Sequence, residues 1–150
     1  PISGIVFSPS TNEMFEAEKD KGSWKNKKKV LISKYKKLEE CKMMAFKPMF
    51  SHPAWSEPWP KMNIENRNSI AYRMALVASG EFDAMMALNS KNDWDIAAGD
   101  LLISESGGNV SLHTNKKIIY NQENTKKPSV IGSNKIIHEK IIRRVKSLEL

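Results

Sequence analysis

Apolar positions come in short runs separated by turn-forming residues, and the period of the runs changes along the chain. Residues 3 to 8 and 13 to 18 read as an antiparallel strand pair across the turn Ser8-Pro9-Ser10-Thr11-Asn12. Lys25 to Lys29 is a second turn, Val30-Leu31-Ile32 a short strand, and Lys42 to Phe46 a further strand. Residues 47 to 61 contain Pro48, Pro53, Pro58 and Pro60, which predicts an extended loop without helix, followed by a strand at Met62-Asn63-Ile64. The period then becomes helical, with apolar residues at 70, 71, 74, 77 and 78 on one face of a helix over Ser69 to Ser79. Phe82 to Leu88 is almost continuously apolar, which suits a strand buried on both faces. Asp95 to Ser106 predicts a largely buried helix. Short strands are expected near 109 to 112, 117 to 120 and 129 to 132. A final helix from about Asn134 to Leu148 carries Ile137, Ile141, Val145 and Leu148 on one stripe. Helices alternating with strands predict an α/β domain, a mixed β-sheet flanked by helices.

The densest chemistry lies in residues 93 to 108, Asp-Trp-Asp-Ile-Ala-Ala-Gly-Asp-Leu-Leu-Ile-Ser-Glu-Ser-Gly-Gly. Asp95 stands where a strand and its loop give way to an apolar helix. A carboxylate at such a junction accepts hydrogen bonds from first-turn amides as an ordinary cap. The same position favours a phosphate, and hence a metal held beside one. Gly107-Gly108 then ends the helix.

The pattern Trp94-Asp95-x-Ala97-Ala98-Gly99, followed by Glu105-x-Gly107-Gly108, resembles a signature of the inositol monophosphatase family. Gly4-Ile5-Val6-Phe7-x-Pro9, Glu13-Met14-Phe15-x-Ala17 and Lys21-Gly22-Ser23-Trp24-x-Asn26 are similar to that family's upstream strand segments. Asn68-Ser69-Ile70-Ala71-Tyr72-Arg73-x-Ala75-Leu76-Val77-Ala78-x-Gly80 resembles its Gly-Ser-x-Ala helix start. The resemblance implies a magnesium-dependent, lithium-sensitive phosphomonoesterase with an αβαβα sandwich, of which this chain is the C-terminal half. The Glu-Glu and Asp-Pro-x-Asp-Gly-Thr elements of the family's upstream half do not occur here, Glu39-Glu40 lying downstream of where that element stands; the aspartates are Asp20, Asp83, Asp93, Asp95 and Asp100. The N-terminal half with its metal motifs is therefore expected to be missing, and the fragment alone to be inactive.

Composition adds bounds. At 150 residues and 40% hydrophobic content the chain supports one core, and no apolar run reaches membrane-spanning length. Neither a signal-peptide pattern nor a second cysteine accompanies Cys41, so the expected compartment is the cytoplasm, with Cys41 an inert thiol. His52, His113 and His138 have no metal-ligand spacing and read as structural or exposed. Between Lys19 and Lys47 there are 11 lysines against Asp20, Glu39 and Glu40, a net of +8 in a chain of net +7. Such a stretch is a solvated face, or an anion-attracting flank beside a phosphate site. With only Trp24, Tyr35 and Phe46 as stacking candidates, nucleic acid is not the expected partner.

The resemblance assigns one Mg²⁺-ligating carboxylate to Asp95 and leaves the catalytic water-activating residues outside this chain. Asp93 reads as a neighbour pointing away, or to solvent. Asn68, Ser69 and Ile70 fall where family members approach substrate oxygens, although Ser69 serves equally as a helix cap. Arg67 or Arg73 suits a second phosphate; either equally suits a surface salt bridge, the favoured reading for Arg73 inside a helix. Inositol-selective members carry an acid several residues before the Trp-Asp pair, where this chain has Leu88. That favours a small bisphosphorylated nucleotide as substrate, with inositol-1-monophosphate and a non-catalytic role in RNA or transcription assemblies as alternatives. The other expected partners are the N-terminal half and, in a homodimer, a second copy.

Overall fold

The computed structural model describes residues 1–53 and 55–150. Ala54, inside the expected proline loop, lies outside the described residues. Strands β1 (Ser3–Ser8), β2 (Glu13–Glu18), β3 (Gly22–Lys25) and β4 (Lys28–Val30) form a four-stranded antiparallel sheet in that order. Ser3 pairs with Glu18 and Ser8 with Glu13, the hairpin that the sequence predicts. Asn26 and Lys27 both have positive φ, +47° and +65°, between the paired Lys25 and Lys28. A two-residue hairpin loop needs that conformation at both positions, and asparagine tolerates it. The Asn26 side chain also accepts from the Met14 amide at 2.8 Å.

The second sheet has five strands in the order β6-β5-β7-β11-β9, where β5 is Lys42–Met44, β6 Asn63–Glu65, β7 Ala84–Ala87, β9 Asn109–Ser111 and β11 Val130–Ser133. β5 runs parallel to both β6 and β7, while β11 is antiparallel to β7 and β9. Helices α1 (Ile70–Ala78) and α2 (Asp93–Glu105) pack between the two sheets, and α3 (Lys135–Val145) covers the far face of the second. β7 explains its own composition. Met85 and Ala87 point into the core shared with α1 and α2, whereas Ala84 and Met86 point into the core under α3. A strand covered on both faces needs apolar residues at every position. The mixed α/β architecture is the expected one. Among the described residues no helix is long and apolar enough to cross a membrane.

Several local expectations are corrected. Lys47–Ser51 is a 3-10 helix with Pro48 in its first turn, inside the stretch expected to exclude helix. Proline there loses only an amide that has no helical partner, and its φ is already helical. Residues 117–120 form no strand, although Ile118 is buried. β8 (Lys91–Asn92) and β10 (Lys126–Lys127) form a two-residue pair that no periodicity announces. α2 begins at Asp93, two residues before the expected start, with Asn92 as its N-cap.

The first sheet presents Ile5 and Phe7 outward, 59% and 50% exposed, while Phe15 and Ala17 face the helices and are buried. The small residues of the Ala97-Ala98-Gly99 run have a packing reason. A Cβ on Gly4 would lie 3.1 Å from the Ala98 Cα, and one on Gly99 would lie 2.6 Å from the Met74 Cβ. α2 thus touches β1 on one side and α1 on the other almost backbone to backbone. Glu105 accepts from the amides of Asp20 and Gly22, both at 3.0 Å, and so fixes the β2–β3 turn. Gly107 follows with φ +92°, the left-handed residue that ends the helix.

Two buried titratable groups are structural. The Cys41 thiol is wholly buried and pushed up to about 12 by burial and by Asp83, which leaves a negligible thiolate fraction at neutral pH. His138 is 3% exposed, lies 2.8 Å from the Ser111 hydroxyl, and is pushed down to about 4 by burial, against the opposing charge of Glu139. An unfolded histidine binds its proton near pH 6.5, so between pH 6.5 and 4 the unfolded state holds a proton the native state refuses. Stability therefore falls as pH drops through that window. His138→Gln is expected to flatten the decline of the melting midpoint between pH 6.5 and 4; an unchanged slope contradicts the assignment.

Candidate functional site

Because β5, β6 and β7 are parallel, their carboxyl ends open on one side of the sheet. Open α/β sheets bind ligands outside the carboxyl ends of their strands. Phe46 and Met49 follow β5, Arg67 to Ser69 follow β6, and Leu88 and Asn89 follow β7. α1 starts directly after Ser69 and α2 directly after Asn92, so both helices begin on this side.

Each sequence-predicted residue has a definite place. Ser69 caps α1, its hydroxyl oxygen accepting from the Tyr72 amide at 3.2 Å. The hydroxyl proton stays available to a ligand. Ile70 is buried, so only its first-turn amide reaches the site. Asn68 is exposed with no hydrogen-bond partner among the described residues. Arg67 is ion-paired with Glu65 at 2.8 Å and donates to the Asn66 carbonyl at 3.0 Å.

Asp95 is not the cap but the third residue of α2. Its Oδ2 accepts from the Asn92 amide at 2.9 Å, the reaching-back half of a capping box. Oδ1 has no hydrogen-bond partner among the described residues. The carboxylate is half-buried and fixed by one oxygen, leaving the other as a hard donor beside a positive helix end. A hard oxygen donor fits a Mg²⁺ ion, which takes one or two carboxylates from a site. Among the described residues no cluster of three or more His, Cys, Asp or Glu surrounds it.

Asp93 is neither solvent-directed nor a partner of Asp95. Its carboxylate lies 2.8 Å from the Lys127 ammonium and accepts from the Asn121 amide at 3.0 Å. Lys127 and the Asn121 amide hold the Asp93 carboxyl below its ordinary range. The backbone adds a bond from the Asp93 amide to the Thr125 carbonyl at 3.0 Å. Asp93 therefore ties the start of α2 to the 121–127 segment.

The family model of the inositol monophosphatase family matches residues 1–150. The chain belongs to that family. It is 26% identical to an inositol-1-monophosphatase of Caulobacter vibrioides over 97% of its own length and 59% of that protein's. It is 29% identical to a fructose-1,6-bisphosphatase/inositol-1-monophosphatase of Thermotoga maritima, over 95% and 54% of the two chains. The solved structure of a Thermotoga maritima IMPase superposes with a TM-score of 0.79 at 29% identity, over 96% of this chain and 55% of that one. The chain spans little more than half the length of these relatives.

One residue departs from its favoured sequence reading, a surface salt bridge. Arg73 lines a cavity of about 270 Å³ together with Phe46, Met49, Met86, Ala87, Leu88 and Asn89. It makes no surface salt bridge, since no carboxylate among the described residues lies within ion-pair distance. Its position four residues after Ser69, on the same helix face as the cap, is the signal that places it here. The 11 lysines from 19 to 47 form no uniform flank. Lys21 pairs with Glu18, and Lys25 bridges Glu13 and Glu81.

Proposed function

We propose that the chain supplies one metal ligand and the substrate-side wall of a magnesium-dependent phosphomonoesterase whose substrate is a 3′(2′),5′-bisphosphorylated nucleoside. The observation that supports this reading is Asp95 itself, held through Oδ2 by the Asn92 amide with Oδ1 unengaged, in the first turn of a helix that starts, like α1 after Ser69, beyond the carboxyl ends of the parallel strands. Bound magnesium supplies a lowered water pKa and neutralises charge on the transferring phosphoryl group. Asp95 would hold that ion through Oδ1, while its Oδ2 bond to Asn92 keeps the carboxylate from turning away. The Ser69 hydroxyl and the first-turn amides of α1 orient substrate oxygens, assisted by Asn68. The residues that activate water and the remaining ligands come from chain outside residues 1–150. The outward apolar pair Ile5 and Phe7 offers a face for that part to cover.

Leu88 separates the bisphosphate reading from the inositol reading. It cannot accept a hydrogen bond, so a polyol hydroxyl placed against it goes unpaired at roughly 1–3 kcal/mol. The intact protein is expected to show a higher kcat/KM for adenosine 3′,5′-bisphosphate than for inositol 1-phosphate, and the ratio is expected to narrow as ionic strength rises. A preference for inositol 1-phosphate at both low and moderate salt overturns the substrate assignment.

A further inference from the structure

The cavity beside Leu88 holds an arginine whose binding edge is unused. The Nε–H of Arg73 donates to the Arg67 carbonyl oxygen, which fixes the guanidinium plane. Nη1 and Nη2 have no acceptor among the described residues. Those two nitrogens form the end-on fork that pairs bidentately with a phosphate or carboxylate. A preset plane lowers the entropy lost when the pair forms.

The charges nearby leave the arginine uncompensated. Arg67, six residues away, is neutralised by Glu65. The Lys91 ammonium is bound to the Asn89 side chain at 2.7 Å and to the carbonyls of Asn89 and Ser90, which are neutral acceptors. It feels repulsion from Arg73 and attraction from Asp95. Burial alone also disfavours the Arg73 charge. Two cations thus face one local carboxylate, and that carboxylate is the one assigned to a metal. Apart from Asn89, the rest of the cavity lining is apolar: Phe46, Met49, Met86, Ala87 and Leu88. A cationic fork against an apolar wall suits a ligand that is anionic at one end and flat and apolar at the other.

We propose that Arg73 is the specificity residue of this site: its Nη edge receives the second phosphate of a bisphosphorylated nucleoside, whose base lies against Phe46, Met49 and Leu88. This rests on the bisphosphate reading above and adds the residue that enforces it. Arg67, already paired, is the weaker candidate.

The test compares three substrates on the intact protein: adenosine 3′,5′-bisphosphate, adenosine 3′-monophosphate and fructose 1,6-bisphosphate. Arg73→Gln is expected to lower kcat/KM for the nucleoside bisphosphate at least tenfold more than for the monophosphate, with the excess in KM. Arg73→Lys, which keeps charge but not the fork, recovers part of the loss and serves if the glutamine variant folds poorly. Leu88→Asp is expected to weaken both adenosine compounds more than the sugar bisphosphate, which separates recognition of the base from recognition of the second phosphate. Equal losses for mono- and bisphosphate, or no loss for either, overturn the assignment. If the wild-type protein turns over none of the three, equilibrium dialysis of adenosine 3′,5′-bisphosphate decides. Binding weakened at least tenfold by Arg73→Gln upholds Arg73 while sinking the phosphatase reading; binding unchanged by the substitution sinks Arg73 as well.

Discussion

Asp95→Asn in the intact protein is expected to cut the phosphatase rate by on the order of 10²- to 10³-fold, the loss of ~3–4 kcal/mol of charge stabilisation. The amide oxygen still accepts from the Asn92 amide, so the capping contact of α2 survives. Only the charge–dipole term disappears, ~0.3–1 kcal/mol. The melting midpoint should move by just ~1–3 °C. Asp93→Asn should behave in the opposite way. It removes the anion facing the nearly buried Lys127 ammonium and weakens the bond to the Asn121 amide. Its melting midpoint should fall further than that of Asp95→Asn, with a smaller effect on rate. Both quantities are read from the same two purified variants, by steady-state kinetics at saturating Mg²⁺ and by thermal denaturation. Parallel changes in rate and midpoint across the pair would remove Asp95 from the metal site. The crossed pattern is sensitive because the two carboxylates are separated by one residue on the same helix, so any general disturbance of α2 strikes both.

The sequence made the framework legible where burial is one-sided or complete over several residues. The 13–18 strand alternates because one face covers α2, and β7 is continuously apolar because both of its faces are covered. Residues 135–145 show their period because they present a single face to a core, whereas α1 is buried all round over residues 74–78 and shows its period through its half-exposed first turn. Legibility failed where too few residues carry the signal. β8 and β10 are two residues each, and their pairing is fixed by the Asp93–Lys127 contact beside them rather than by any run of side chains. The start of α2 is ambiguous in the sequence because Asn92, Asp93 and Asp95 are all residues that cap helices. The spacing Asn92-x-x-Asp95 does carry the capping-box signature, with the acid reaching back three positions. Asp95 is picked out by its motif as the proposed metal ligand. Arg73 is ambiguous in the sequence between a phosphate contact and a surface ion pair, because an arginine in the first turns of a helix looks like a surface residue until the loops after β5 and β7 are folded over it.

Gly99 links that packing to the chemistry, and it supports the second large effect. Ser69 and Arg73 ride on α1 and Asp95 on α2, so the distance between the two helices sets the distance between the proposed substrate contacts and the proposed metal ligand. That distance is held by the contact of Gly99 with Met74, where even a methyl group would sit 2.6 Å from the Met74 Cβ. A β-carbon on the neighbouring helix cannot rotate away as a side-chain tip can, so the helices must separate. Gly99→Ala sets a helix-propensity gain of ~1 kcal/mol against that clash. Gly99→Val adds branching and more volume, and overpacking of this kind costs about 3 kcal/mol. In a domain of this size that is a fall of roughly 10 °C in melting midpoint. The kinetic consequence should exceed what instability alone produces. At a temperature where Gly99→Val is still fully folded, the rate should remain depressed, because Asp95 has moved relative to Ser69. Gly107→Ala is the control: its added Cβ meets nothing within 4 Å, and its φ of +92° confines the cost to local backbone strain. It should lower the midpoint without depressing the rate of the folded protein. If Gly99→Val melts like the wild type, or if its folded form works at the wild-type rate, the α1–α2 contact does not set the geometry of the site.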